Sequence, residues 1–344
     1  MEPQGARIDL RSDTVTRPTH TMYEAIARAP LGDDGLDGDP TAGELEDYAA
    51  SVLGKEAGVY FPSATMANLA AVMVQAGRQE VVLAHDRSHI YGAERGGAAL
   101  SGTFYQPIGG EGGAMDCNEL GDALASNRSK LRAALVCLET SHNSAGGTVL
   151  PLSHMAEVAA LAGHSGASVH VDGARLFNAC VALGMPAAAI AQYADTVAIC
   201  LSKGLSAPMG AVLVGSRGIC AKARALRRSL GGNQRQVGIA AAAGLVALHT
   251  MVDRLADDHR RAGLFSEGVG RIESLRVNAP QTNIVQVDTS RTGRTALEWA
   301  NALREAGVLA RPWGTHVLRC VTHRHIDDED IKQAVAAFAR LGQG

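Results

Sequence analysis

A lysine, an aspartate and a hydroxyl-rich turn are the residues whose types and spacing could do chemistry in this chain. Residues 196–201 form an apolar, β-branched run that stops at Ser202, Lys203 and Gly204, and a second apolar run follows at 211–214. A lysine tethered at the end of a buried strand is set in place, and desolvation there would lower its pKa and make the amine a usable nucleophile. The competing reading is a surface lysine in a turn between two strands. Ser168-Val-His-Val-Asp172-Gly-Ala-Arg175 reads as a strand ending in an acid, with an arginine three residues on. Val59-Tyr-Phe-Pro-Ser63-Ala-Thr65-Met-Ala-Asn-Leu reads as a short strand running into hydroxyl residues at a helix start. Free backbone N–H groups and hydroxyls at such a start bind phosphate.

Together these pieces suit pyridoxal 5'-phosphate. Ser63, Ala64 and Thr65 would hold the phosphate, Asp172 would keep the pyridine nitrogen protonated, and Lys203 would form the Schiff base. Each piece alone is weak; their order along the chain is far more specific.

At these residues the chain resembles the low-specificity L-threonine aldolases, in the beta-eliminating lyase group of fold-type I pyridoxal-phosphate enzymes. The resemblance runs from Ile8-Asp-Leu-Arg-Ser-Asp-Thr-Val-Thr-Arg-Pro18 through Gly32-Asp-Asp and Asp39-Pro-Thr to His89-Ile-Tyr-Gly-Ala-Glu94-Arg-Gly-Gly97. It continues at Glu139-Thr-Ser-His142-Asn, His170-Val-Asp-Gly-Ala-Arg175 and Cys200-Leu-Ser-Lys-Gly-Leu, and ends with Gly231-Gly-Asn-Gln-Arg235-Gln and Leu318-Arg319-Cys-Val-Thr-His323. Two departures stand out. Leu36 replaces a tyrosine of the family pattern, and Ala64 replaces a glycine of the phosphate turn, so that position should have an ordinary φ.

The resemblance implies that His89 stacks on the pyridine ring, that Ser12 contacts the substrate carboxylate, and that Arg235 lies near the cofactor across a subunit interface. His142, at a strand end, is in reach of a substrate β-hydroxyl or else supports the site from behind. Arg175 serves the phenolic oxygen, the substrate carboxylate or a nearby acid. Arg319 is a charge inside an apolar strand, and a bidentate substrate carboxylate is a fitting partner. The base for the β-hydroxyl proton is His142, His89 or a water between them. His85 is either solvent-facing or in a local hydrogen bond.

The elements that must position these residues follow from pattern. Strands are expected at 81–84, 132–138, 167–171 and 211–214, with helices at 22–29, 44–53, 152–163, 219–228 and 237–257. A smaller part follows from about residue 258, with one helix reaching about 272, others at 295–306 and 331–341, and strands at 282–287 and 317–321, the last helix capped by Asp327. We divide the chain into an N-terminal arm plus large domain (1–257) and a small C-terminal domain (258–344); residues 1–7 are expected to be a loose terminus.

Aromatic residues make up only 4%, so the core rests on Ala, Val, Leu and Ile. A net charge of -3 gives no reason to expect nucleic acid or an anionic membrane as partner. There is no signal peptide or long apolar span. The six scattered cysteines lack CxxC spacing and read as reduced, mostly buried thiols of a cytoplasmic protein. His316, His323 and His325 lack zinc spacing, and no metal is expected.

The fold class is therefore α/β. The resemblance implies a mostly parallel seven-stranded sheet with ligands at the strand C-terminal ends. It also implies a homo-oligomer, a dimer of dimers, with active sites at dimer interfaces. The expected reaction is retro-aldol cleavage of L-threonine, L-allo-threonine or related β-hydroxy-α-amino acids to glycine and an aldehyde. The rivals are β-elimination or deamination of a β-substituted amino acid, including phenylserine-type substrates, and a non-catalytic homologue that only binds the cofactor. A nicotinamide oxidoreductase is poorly supported, since no GxGxxG follows a first strand.

Overall fold

A computed structural model describes residues 8–125 and 131–342. The expected loose terminus at 1–7 lies outside the described residues. The chain forms two compact units, one of residues 17–252 and one joining residues 8–16 to 253–342.

The larger unit is built on a seven-stranded sheet. In spatial order its strands are Ala57–Phe61, Ala211–Gly215, Thr196–Cys200, Ser168–Gly173, Ala133–Glu139, Val81–His85 and Phe104–Ile108. Ala211–Gly215 alone runs in the direction opposite to the other six strands. The central strands are buried along their whole length, as continuous apolar runs must be when helices cover both faces. Val59 and Phe61 pack with alanines of helix Ala64–Gln75 and with Cys220 and Ala223 of helix Arg217–Ser229. Gly58, just before Val59, abuts the backbone of Glu46 in helix Pro40–Leu53 on the other face. The small side chains are what let the helices close in, so the low aromatic content is matched by a core of Ala, Val and Leu. All six cysteines are free thiols and five are buried.

The edge strand Phe104–Ile108 was not anticipated, because Gln106 and Pro107 interrupt its apolar pattern. Pro107 is tolerated because a strand at the sheet edge leaves one side of its ladder unpaired. The helix expected at 237–257 ends early, at Thr250, and the one expected from about 258 to 272 begins at Leu255, so the pair is Gly238–Thr250 and Leu255–Gly270. The first is mostly alanine and buried in the larger unit, while the second carries Asp257, Asp258, Arg260 and Arg261 and belongs to the smaller one. Two different cores claim the two helices.

The smaller unit has a four-stranded antiparallel sheet ordered Arg276–Val277, Ile284–Asp288, Val317–Val321, Arg311–Pro312. Its core gathers Phe265, Trp299 and Phe338, with the Phe338 ring 5.4 Å from Phe265 and 5.8 Å from Trp299. Burying each such ring contributes roughly 1.5–3 kcal/mol. The N-terminal arm belongs here, where the sequence reading assigned it to the large domain. Ile8 and Asp9 pair in parallel with Val308 and Leu309, and Leu10 is fully buried in the same core. Asp327 caps the last helix, its Oδ1 accepting from the Glu329 and Asp330 N–H groups. No single helix among the described residues is long and apolar enough to cross a membrane.

Candidate functional site

The site is assembled at the C-terminal ends of the parallel strands. Asp172 lies at the end of Ser168–Gly173, and Lys203 lies three residues beyond Thr196–Cys200, the adjacent parallel strand. Gly173 makes the close approach possible: a Cβ there would sit 2.8 Å from the Ala198 carbonyl oxygen. Lys203 is half-buried and interacts electrostatically with Asp172.

Asp172 is 2% exposed. Its Oδ1 accepts the Ala174 N–H at 3.0 Å and its Oδ2 accepts an N–H of the Asn68 side chain at 3.0 Å. Burial and then the charge of Glu94 push its pKa up, while Lys203 and His89 pull it down. Glu94 accepts from Asn68 Nδ2 at 3.2 Å, from the Thr65 hydroxyl at 2.8 Å, and pairs with His89 Nδ1 at 3.0 Å. Burial opposes the Glu94 charge, but these bonds, led by His89, hold its carboxyl below the usual range. The same hydrogen bond is the main reason that the His89 pKa is raised.

Glu139 closes the group from the next strand. Fully buried, it accepts the His89 N–H at 2.6 Å and the Asn143 N–H at 2.8 Å. Burial, and then Asp172's charge, push it up to about 7. One carboxyl thus ties the turn carrying His89 to the turn carrying Asn143. Asn143 Oδ1 in turn accepts from Arg175 Nη1 at 3.2 Å, so Arg175 is buried and held within the same group.

The phosphate turn has the expected form. Ser63 caps helix Ala64–Gln75 from an extended φ of -149°, its Oγ accepting the Met66 N–H at 3.2 Å. Ala64 takes ordinary helical geometry, as expected without the glycine. The first N–H groups of this helix have no intrahelical acceptor and carry the positive end of its dipole. Thr65 differs from expectation in its side chain, since its hydroxyl donates to Glu94.

His142 is fully buried. Gly113, at a φ of +92°, lets a hairpin close over it, since a Cβ there would lie 2.5 Å from the imidazole. Its Nδ1 accepts the Ala145 N–H at 3.2 Å, and burial drops its pKa to about 3. A neutral imidazole with an accepting Nδ1 carries its proton on Nε2, so it can donate there but not accept. His85 resolves to the local alternative: it is buried, accepts the Arg87 N–H at 3.1 Å and sits 4.9 Å edge-on to the His142 ring. Arg235 is exposed, and its guanidinium pairs with Asp33 at 3.5 Å, so within one chain it does not join the buried group.

Ser12 and Arg319 lie in the smaller unit. Ser12 is buried and caps a short turn, accepting the Thr14 N–H at 3.3 Å. Arg319 is 2% exposed, lies 4.5 Å over the Trp313 ring and donates to the Arg11 carbonyl at 3.2 Å. His323 is structural, its Nε2 lying 2.7 Å from the Asp9 carbonyl oxygen.

Pattern reasoning assigned no role to Asn68, Glu94 or Glu139. Asn68 follows Thr65 by three residues on one helix face, which was a usable signal. Glu139 is an acid closing an apolar strand, the same signature that singled out Asp172.

The residues fit pyridoxal phosphate. Two carboxylates, the buried Asp172 and the partly buried Glu94, share one amide, and a cationic ring nitrogen beside Asp172 would relieve their mutual repulsion. The capped helix start suits the phosphate, and the half-buried Lys203 suits the carbonyl. This sheet, with lysine and aspartate at adjacent strand ends, defines a fold-type I pyridoxal-phosphate enzyme.

The comparisons agree. The beta-eliminating lyase family model matches residues 9–292. A probable low-specificity L-threonine aldolase 2 of Arabidopsis thaliana is 44% identical, covering 97% of each chain. The low specificity L-threonine aldolase of Escherichia coli K12 is 39% identical over 96% of this chain and 97% of its own. A solved putative L-allo-threonine aldolase from Listeria monocytogenes superposes with a TM-score of 0.82 at 19% identity, covering 98% of this chain and 97% of the other. The chain belongs to the beta-eliminating lyase family, and it is a lyase that works with pyridoxal phosphate.

Proposed function

We propose that this enzyme cleaves β-hydroxy-α-amino acids of the threonine type to glycine and an aldehyde. The observation that carries the reading is the His89–Glu94 pair beside Asp172, because retro-aldol cleavage needs a base for the β-hydroxyl proton. Glu94 accepts the Nδ1–H of His89, which leaves Nε2 to receive that proton. His142 is unsuited to this step, because its accepting Nδ1 is already engaged. Asp172 holds the proton on the ring nitrogen, and Lys203 anchors the carbonyl. Pyridoxal phosphate, when bound, supplies the electron sink for the bond broken at Cα. The family resemblance offers Arg319, Ser12 and Arg175 as the candidates for the substrate carboxylate, and the arginine that grips it fixes which bond at Cα is aligned for cleavage. Arg235, exposed in the single chain, would serve the site of a second copy in a homo-oligomer built as a dimer of dimers; a cytoplasmic location suits the reduced cysteines.

The test of the reading is a panel of β-hydroxy-α-amino acids. Glycine and aldehyde should appear together; 2-oxo acid and ammonia would establish the elimination chemistry in the family's name instead.

The pH profile tests the base. Pairing with Glu94 raises the His89 pKa, so the accepting form prevails only above that raised value and kcat/KM should rise with pH up to it. Glu94→Gln removes the largest cause of the shift. The acid limb should then move to lower pH, with a reduced plateau because the tautomer is less firmly fixed. An acid limb that stays in place in E94Q would mean another group takes the proton.

Arg319→Lys should raise KM and lower kcat together. Lysine keeps the charge but loses the planar group that stacks on Trp313 and grips a carboxylate with two bonds. The loss in kcat/KM should fall at the low end of roughly 2–5 kcal/mol, the range for truncating one partner of a buried charge pair. Steady-state kinetics with an unchanged KM would move the carboxylate to Arg175.

A further inference from the structure

Behind Asp172 runs a chain of buried polar side chains that the mechanism does not use. Gln75 Nε2 donates to the Ala71 carbonyl at 3.0 Å and to Thr196 Oγ1 at 2.8 Å, which occupies both of its N–H bonds. Thr196 Oγ1 therefore accepts from Gln75 and has its own proton left for His170 Nδ1, 2.8 Å away. His170 is fully buried, and burial drops its pKa to about 4, so the ring is neutral and carries one proton. With Nδ1 accepting, that proton is on Nε2, which donates to Asn68 Oδ1 at 3.1 Å. The Asn68 amide is thereby oriented. Its carbonyl faces His170, and its NH2 group faces Asp172 Oδ2 at 3.0 Å and Glu94 Oε2 at 3.2 Å. A flipped amide would set its oxygen against two carboxylates and its NH2 against the His170 N–H. Asn68, His170, Thr196 and Asp172 are all at most 2% exposed, so water cannot substitute for a missing partner.

We propose that Asn68, oriented by the His170–Thr196–Gln75 chain, is a positioning residue that keeps Asp172 and Glu94 charged side by side. It thereby couples the ring-nitrogen partner to the carboxylate that orients His89. Two carboxylates in reach of one amide nitrogen repel each other, and the next groups around them are Glu139, His89 and Lys203. The two N–H bonds of the buried Asn68 offset that repulsion. Asp172 then remains an anion able to hold the ring-nitrogen proton. This rests on the assignment of Asp172 as the ring-nitrogen partner.

The test uses the full chain reconstituted with pyridoxal phosphate carrying ¹⁵N in the ring. The nitrogen chemical shift is followed against pH in the wild type, Asn68→Ala, Thr196→Val, Thr196→Ser and, as a control, Asp172→Asn. The wild-type ring nitrogen should stay protonated throughout the pH range in which the protein is folded. Asn68→Ala should weaken its proton affinity by about tenfold or more, the scale of one lost charge-assisted hydrogen bond. Thr196→Val, nearly isosteric and remote from the cofactor, should shift it in the same direction by less, and Thr196→Ser should restore it. If Asn68→Ala does not fold, the two Thr196 variants decide the matter. Wild-type titration in Thr196→Val, with or without a lower Tm, alongside a shifted Asp172→Asn overturns this proposal and leaves the Asp172 assignment standing. An unshifted Asp172→Asn overturns that assignment itself.

Discussion

Lys203→Ala loses both its covalent attachment to pyridoxal phosphate and its turnover. Lys203 follows the Thr196–Cys200 strand, and its half-buried amine sits in the field of Asp172, where no other lysine of the described residues is placed to replace it. The other lysines of the described residues are at 55, 222 and 332. Of these, Lys55 is already bound to the Ala194 carbonyl at 2.6 Å, and Lys332 pairs with Glu329 on the terminal helix. Borohydride reduction followed by peptide mapping should place the adduct on Lys203 in the wild type and find none in the variant. The variant should still bind the cofactor through the helix start and Asp172, without the covalent bond. Losing an amine that acts both as nucleophile and as a positioned proton carrier should cut kcat by ~10²–10⁴ or more. A reduced adduct that persists on another lysine contradicts the assignment.

Asp172→Asn should fold and yet be nearly inactive. The side chain keeps its shape, and its oxygen can still accept the Ala174 N–H. On the other side an NH2 group would face the Asn68 NH2, which cannot turn around without opposing His170. That mismatch should cost roughly 1–3 kcal/mol of stability, the range for an unsatisfied buried donor. The larger effect is on catalysis, because a neutral amide cannot hold a proton on the ring nitrogen. A fall in kcat on the order of 10⁴ is expected, comparable to losing the orienting carboxylate of a catalytic triad, or about 5 kcal/mol. A folded variant with near-normal kcat would remove Asp172 from the ring nitrogen.

What the sequence made legible was what local pattern encodes. Lys203 and Asp172 stood out because each interrupts a continuous apolar run, and Ser63 because a hydroxyl between a strand and an apolar helix reads as a cap. Asn68 was hidden because its partner Asp172 is 104 residues away, joined only through the sheet. Glu94 was hidden by the break after the short helix His89–Gly92, where no helical period relates it to His89. His142 looked reactive from its place at a strand end. Its burial depends on Gly113, which in the sequence was only one glycine of a turn cluster. The arm at residues 8–16 was misassigned because its pairing with Val308 and Leu309 spans nearly the whole chain.

The central claim is that the bond broken is Cα–Cβ, and one isotope measurement addresses it directly. L-threonine deuterated at Cα is converted by the purified holoenzyme in ordinary water, and the early products are analysed by mass. Retro-aldol cleavage transfers the β-hydroxyl proton away, releases acetaldehyde and returns one solvent proton to Cα, so the Cα deuterium stays put. The account predicts glycine carrying one deuterium, in equal amount to acetaldehyde. Formation of 2-oxobutanoate and ammonia, with the deuterium lost to solvent, would contradict it.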